Sequence, residues 1–152
     1  MSKLKIGGKA PAFKLKDQND ELVSLSDFKG KKVLVYFYPK AMTPGCTTQA
    51  QCLRDEKKVF DKKKIVIIGI SPDEPKKLKK FEEKESLNFI LLSDPDHKVC
   101  EAYGIWALKK FMGREFMGVV RTSFLIDEEG RIAHIMDDVK TKTHHQDVLD
   151  LL

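Results

Sequence analysis

Val33-Leu-Val-Tyr-Phe-Tyr38-Pro39-Lys-Ala-Met-Thr43-Pro-Gly-Cys46-Thr-Thr-Gln49-Ala-Gln51-Cys52-Leu-Arg-Asp55 is the stretch around which the rest of the chain is organised. The run from Val33 to Tyr38 is apolar without interruption, which predicts a strand buried on both faces. From Gln49 to Lys63 the apolar residues recur at helical spacing. Cys46 therefore falls where a buried strand gives way to a helix. Pro44 and Gly45 break regular structure and shape the turn between them. A cysteine in the first turn of a helix faces backbone N–H groups that lack helical partners and the positive end of the macrodipole. Both favour the thiolate, the reactive form of the side chain. Cys46 is thus a candidate nucleophile.

Working outward, Ala12–Lys16 and Leu22–Leu25 alternate apolar and polar residues around Asp17-Gln-Asn-Asp20, the pattern of an N-terminal β-hairpin. Ile65–Ile70 is a second continuous apolar run, which predicts a strand inside the sheet and parallel to the first. Ser71-Pro-Asp-Glu-Pro75 opens a polar helix over 75–85 whose Leu78 and Phe81 form one narrow buried stripe. Phe89–Leu92 reads as a short strand, and His97–Tyr103 as a short helix. Ile105–Gly118 reads as a mixed aromatic and basic loop, its Trp106, Phe111 and Phe116 forming either an apolar wall near Cys46 or a subunit contact. Val119–Asp127 and Arg131–Met136 read as a hairpin through Glu128-Glu-Gly130. Thr143 caps a last helix with Val148, Leu149 and Leu152 facing inward. It stops abruptly on two leucines, which suggests that a few polar residues follow. The pattern predicts an α/β fold with a mixed sheet.

At 152 residues the chain is long enough for one domain, 1–152, with a single core. Its 41% apolar and 34% charged residues are ordinary for a soluble protein. The opening residues lack the apolar centre of a signal peptide, and no run approaches the ~20 apolar residues of a membrane span. These features predict a cytoplasmic protein with no membrane partner. The net charge of +5 comes from lysines spread among acids on helix faces, which argues against a nucleic-acid surface. Three cysteines in such a setting predict free or catalytic thiols rather than a disulfide framework. No pair has the spacing of a zinc knuckle. No glycine-rich dinucleotide signature appears.

Pro39, three residues, Thr43, two residues, Cys46 resembles the active-site pattern of the peroxiredoxins. The whole stretch is similar to their bacterioferritin-comigratory, or Q-type, subfamily. So are Asp94–Gly104, Arg121-Thr-Ser-Phe-Leu-Ile-Asp127 and Lys142-Thr-His-His-Gln, in the same order. The resemblance implies a thioredoxin-like fold and a thiol peroxidase. Such an enzyme reduces hydrogen peroxide or alkyl hydroperoxides through a Cys46 sulfenic acid, in antioxidant defence. It implies no metal, haem, flavin or nicotinamide cofactor. The implied reductant is thioredoxin, or glutathione or glutaredoxin, and the implied assembly a monomer, with a dimer left open. Two other readings stand beside it. A thiol–disulfide oxidoreductase on the same fold would need a Cys-x-x-Cys pair that the chain lacks. A redox sensor would react once with peroxide rather than turn over.

The resemblance also assigns roles. Arg121 is the cation that holds the sulfur as thiolate: it opens an apolar strand, where a charge needs a partner. Thr43 donates its hydroxyl to a peroxide oxygen, and Pro39 shields the sulfur. Gln49, one helical turn from Cys46, orients the arginine. Many relatives of this type carry a resolving cysteine five residues after the first; here that position is Gln51, and Cys52 follows it. On one continuous helix Gln51 aligns with Asp55, Lys58 and Lys62, a solvent row. Cys52 aligns with Leu53, Val59 and Phe60, which predicts that it lies on the dry face. Pulling it out would cost its burial, so resolution by Cys52 and reduction by an external thiol both remain open. Cys100 reads as a buried structural cysteine. His144 and His145 read as surface residues at the start of the last helix rather than metal ligands.

Overall fold

The computed structural model describes residues 4–137 and 139–152, and of Phe111 the backbone alone. In chain order its elements are β1 (Lys14–Asp17), β2 (Leu22–Ser24), a 3-10 turn (Leu25–Phe28), β3 (Lys32–Phe37), α1 (Pro44–Asp55), α2 (Lys57–Lys62), β4 (Ile65–Ser71), α3 (Pro75–Glu85), β5 (Ile90–Ser93), α4 (Lys98–Ala102), β6 (Trp106–Phe111), β7 (Arg114–Val119), β8 (Thr122–Ile126), β9 (Ile132–Met136) and α5 (His144–Asp150). Seven strands make one mixed sheet in the order β2-β1-β5-β4-β3-β8-β9. Strands β3, β4 and β5 are parallel, while β8 runs antiparallel to β3, with Phe37 opposite Thr122. The expected α/β thioredoxin-like architecture, with its N-terminal hairpin β1–β2, is present.

The continuous apolar runs are explained by the two cores they separate. One face of the sheet sends Leu34, Tyr36, Ile65, Ile67 and Leu91 against Ala50 and Leu53 of α1, Phe60 of α2, Leu78 and Phe81 of α3, and Val148 of α5. The other face sends Val33, Val35, Phe37, Ile68 and Ile70 against Phe13, Val99, Cys100 and Tyr103. Alternate residues of a strand point to opposite faces, so a strand covered on both sides has no polar position to offer. Phe60 and Phe81 are fully buried, each a gain of roughly 1.5–3 kcal/mol over exposure.

Several expectations are corrected. Residues 105–118 are not a loop: β6 and β7 pair antiparallel across their full length, outside the main sheet. Trp106 stacks on His97, with ring centroids 4.0 Å apart; the side chain of Phe111 lies outside what is described. The predicted helix over 49–63 breaks at Glu56, whose ψ of 9° departs from helical geometry. Val59 consequently turns out to solvent, 36% exposed, and Cys52 loses the row that was to bury it. Cys52 is half-buried rather than dry. His144 is not a surface residue but fully buried, and Leu152 is exposed. Thr143 occupies the N-cap of α5, yet its hydroxyl bonds the Asp147 carboxylate at 3.0 Å and caps no backbone N–H.

Among the described residues no helix is long and apolar enough to cross a membrane, and no group of three or more His, Cys, Asp or Glu is placed to hold a metal ion.

Candidate active site

The site lies beyond the C-terminal ends of β3 and β4, where ligands of open α/β sheets gather. The chain leaves β3 through Tyr38 and the half-buried Pro39, then turns sharply into α1. Met42 takes a left-handed conformation with φ of 65°, a costly geometry for a non-glycine residue that the surroundings must hold in place. Asp73, just past β4, does part of this: its carboxylate accepts from the Ala41 N–H at 2.7 Å and from the Ser71 hydroxyl at 2.9 Å. Thr43 is the N-cap of α1 and Pro44 its first residue. Proline suits that position because its missing N–H would have no helical partner. The free donors of the first turn are therefore the amides of Gly45 and Cys46.

Cys46 is 2% exposed and lies on the buried face of α1 with Gln49, Ala50 and Leu53, the spacing of one helical stripe. Arg121, in the link from β7 to β8, reaches it across the sheet edge. Its Nη2 donates to the Cys46 Sγ at 3.0 Å, and its Nη1 donates to the Gln49 Oε1 at 3.0 Å. One planar guanidinium thus grips two residues a helical turn apart, an arrangement the rigid fork of arginine suits. Glycine at position 45 makes the approach possible, since a Cβ there would stand 3.1 Å from Arg121 Nη2. The Thr43 hydroxyl donates to the Lys40 carbonyl at 2.7 Å, leaving its lone pairs rather than its hydrogen free.

Beneath the sulfur lie two buried phenols. Burial pushes the Tyr36 hydroxyl far up, with Tyr38 and Cys46 adding to it and Arg121 opposing. Burial likewise raises Tyr38. Both rings stay neutral and act as packing, stacked 5.5 Å apart.

The other cysteines sit in different surroundings. Cys52 Sγ lies 4.0 Å from the Lys142 carbonyl, at the far end of α1. Burial pushes its thiol up, and Asp55 adds to this while Arg54 opposes. Cys100 is fully buried; burial again raises the thiol, with the Asp94 carboxylate beside it adding to the effect.

Two residues that matter here were not anticipated. Asp73 reads in sequence as part of a helix start. His144 reads as a surface residue, yet its Nε2 lies 2.7 Å from the Ser123 hydroxyl on β8, and its ring is 5.7 Å from that of Tyr36. Burial lowers His144 to about 4, with Asp147 opposing and His145 and Arg121 adding, so the imidazole is neutral at ordinary pH. The signal was the match between a polar Ser123 in an otherwise apolar strand and a histidine that could satisfy it.

Known proteins similar to this chain identify its family. The AhpC/TSA family matches residues 6–135. Peroxiredoxin Bcp of Escherichia coli K12 is 56% identical over 152 residues, covering 100% of this chain and 97% of that protein. Peroxiredoxin Bcp of Bacillus subtilis is 50% identical over 149 residues, covering 98% and 95%. Among solved structures, the Xanthomonas campestris bacterioferritin comigratory protein, studied for its alkyl peroxide reduction activity, superposes with a TM-score of 0.88 at 29% identity, covering 99% of this chain and 96% of that one. A Cys-to-Ser variant of Xylella fastidiosa PrxQ superposes at 0.93 with 28% identity, covering 99% and 96%. The chain belongs to the AhpC/TSA family, and within it to the bacterioferritin-comigratory peroxiredoxins, which are thiol peroxidases.

Proposed function

We propose that Cys46 is the nucleophile with which this thiol peroxidase reduces hydrogen peroxide and alkyl hydroperoxides. The observation that carries the assignment is the Arg121 guanidinium 3.0 Å from the sulfur, held in turn by Gln49. The cation favours the thiolate and keeps its donors aimed at the place where charge will move. The thiolate attacks one peroxide oxygen, the S–O bond forms as the O–O bond breaks, and the second oxygen leaves as hydroxide or alkoxide and takes a proton from solvent. Sulfur is oxidised by two electrons and the peroxide is reduced by two. The Gly45 and Cys46 amides, in the first turn of α1 where helical partners are lacking, suit the departing oxygen. Thr43, with its hydrogen committed to Lys40, accepts a hydrogen bond from the hydroperoxide O–H, and Pro39 covers the sulfur from the β3 side.

The sulfenic acid then needs a thiol. Cys46 and Cys52 are six residues apart on one helix, a rise of ~9 Å, whereas a disulfide needs Cα atoms within ~7 Å. A bond between them requires the first turns of α1 to unwind. Three features lower that barrier: α1 has no side-chain N-cap bond, it ends at Glu56, and Cys52 is half-buried rather than locked in the core. Either Cys52 displaces water from the sulfenic acid and the disulfide goes to thioredoxin, or glutathione or glutaredoxin supplies the thiol directly. Dependence on a dithiol donor supports a cytoplasmic setting.

The test is peroxide consumption over many equivalents. With thioredoxin, its reductase and NADPH, or with glutathione and glutaredoxin, one donor system sustains turnover. Consumption that stops after one equivalent with every donor contradicts catalysis and favours a sensor.

A further inference from the structure

Residues 39–43 turn the chain from β3 into α1 and bring Pro39 and Thr43 to the site. Among the described residues, the bond from the Ala41 N–H to the Asp73 carboxylate, at 2.7 Å, is the one hydrogen bond that ties this loop to any element other than α1. Ala41 is buried, so its N–H would otherwise go unpaired away from water. Beside it stands Met42, in the left-handed geometry that persists only where its surroundings hold it.

Asp73 is itself fixed from three sides. Its side chain is 10% exposed. Oδ2 accepts from Ala41 and from the Ser71 hydroxyl at 2.9 Å, while Oδ1 faces the Lys77 ammonium of α3 at 3.3 Å. Its carbonyl accepts from the Ser93 hydroxyl, at the end of β5, at 2.5 Å. Strands β4 and β5 and helix α3 thus hold one end of the bond still, and the loop hangs on the other. An ionised acceptor makes such a bond stronger than a neutral one.

Two steps pull on this bond in opposite senses. Attack on peroxide needs residues 39–46 in place, because small displacements of reacting groups cost heavily in rate. Reduction of the oxidised sulfur needs them displaced: Cys46 is 2% exposed, and a thiol must reach its sulfur to displace water from the sulfenic acid. Opening the first turn of α1 moves the loop that leads into it and draws Ala41 away from Asp73.

We propose that Asp73 is a positioning residue that latches the loop and sets the balance between the two steps, speeding attack on peroxide and restraining release of the sulfenic acid to a thiol. The inference rests on the peroxidase reading. Asp73 acts through the loop rather than on the reacting atoms.

Both steps are followed in a Cys52→Ser parent, where no second thiol of α1 consumes the sulfenic acid. Quenched-flow labelling gives the rate constant of Cys46 oxidation by hydrogen peroxide. Loss of thionitrobenzoate absorbance gives the rate at which an external thiol captures the oxidised sulfur. Asp73→Ala is expected to slow the first by about tenfold and to speed the second several-fold, the size of a lost hydrogen bond to a charged group. Asp73→Asn keeps an acceptor for Ala41 and is expected to return both rates to within about threefold of the parent. Ser71→Ala removes only the hydroxyl that orients the carboxylate. It is expected to move both rates in the senses of Asp73→Ala by about threefold, and carries the test if Asp73→Ala does not fold. Rates that fall together, or that stay at parent values while the urea midpoint drops, overturn the proposal. So does an Asp73→Asn protein as impaired as Asp73→Ala. A parent whose Cys46 stays reduced in hydrogen peroxide contradicts the peroxidase reading itself, a different outcome.

Discussion

The two ends of α1 carry the same side chain in opposite surroundings. At the first turn Cys46 meets a guanidinium, a glutamine that fixes it, and unpaired amides. Near the last turn Cys52 meets the Lys142 carbonyl, with Asp55 and Glu56 close by. One environment is built from donors and a guanidinium that bonds the sulfur; in the other, burial, a carbonyl and two acids outweigh the opposing Arg54. Exposure points the other way: Cys46 is buried and Cys52 half-buried. On the proposed reading, reactivity at this helix follows electrostatics and not access, which is the rule for cysteines whose thiolate is the working form.

Several changes would break or sharpen that contrast. The largest effect is expected from Cys46→Ser, which abolishes peroxide turnover while the fold, followed by circular dichroism, persists. Arg121→Gln keeps a donor of similar reach but removes the charge, and should slow Cys46 oxidation by roughly 10²–10³ in stopped-flow measurements. An unchanged rate would mean that the helix terminus alone makes the first end reactive.

A third prediction concerns α5, which packs against α1 and brings Lys142 to Cys52. His144 holds α5 to β8 as a neutral ring, lowered to about 4 when folded. The unfolded chain takes up a proton below the ordinary value of ~6.5 that the folded chain refuses until about 4. Stability therefore falls as pH drops through that window, by about 3 kcal/mol in all. Urea midpoints between pH 7 and 4 measure it, and His144→Gln should flatten that part of the slope. The smallest effect is expected at Cys52 itself. Iodoacetamide labelling of Cys46→Ser should show the Cys52 rate still rising above pH ~8.5, the ordinary thiol value. A midpoint below that would erase the difference between the two ends.

Much of this was legible in the chain. Runs such as Val33–Tyr38 and Ile65–Ile70 have only one low-energy use, a strand covered on both faces, and they placed the sheet centre. A strand, a proline–glycine turn and a cysteine placed Cys46 at the start of α1, and helical spacing put Gln49 beside it. What escaped had physical reasons. Cys52 was assigned to the dry face by projecting one continuous helix, and the break at Glu56 rotated Val59 out of that row. The hairpin β6–β7 lacks apolar alternation because much of it is exposed, so nothing in Trp106–Val119 advertised a strand. Asp73 and His144 act across the sheet, on Ala41 and Ser123. Their roles depend on which strand ends lie together, and local pattern carries no such information.

The most direct test treats reduced protein with one equivalent of hydrogen peroxide and maps all three cysteines by mass spectrometry. The account predicts oxidation at Cys46 first, trapped as a sulfenic acid adduct or linked to Cys52, with Cys100 untouched. Cys46 left reduced while Cys52 alone is oxidised would contradict it, because access rather than the guanidinium would then decide which end of the helix reacts.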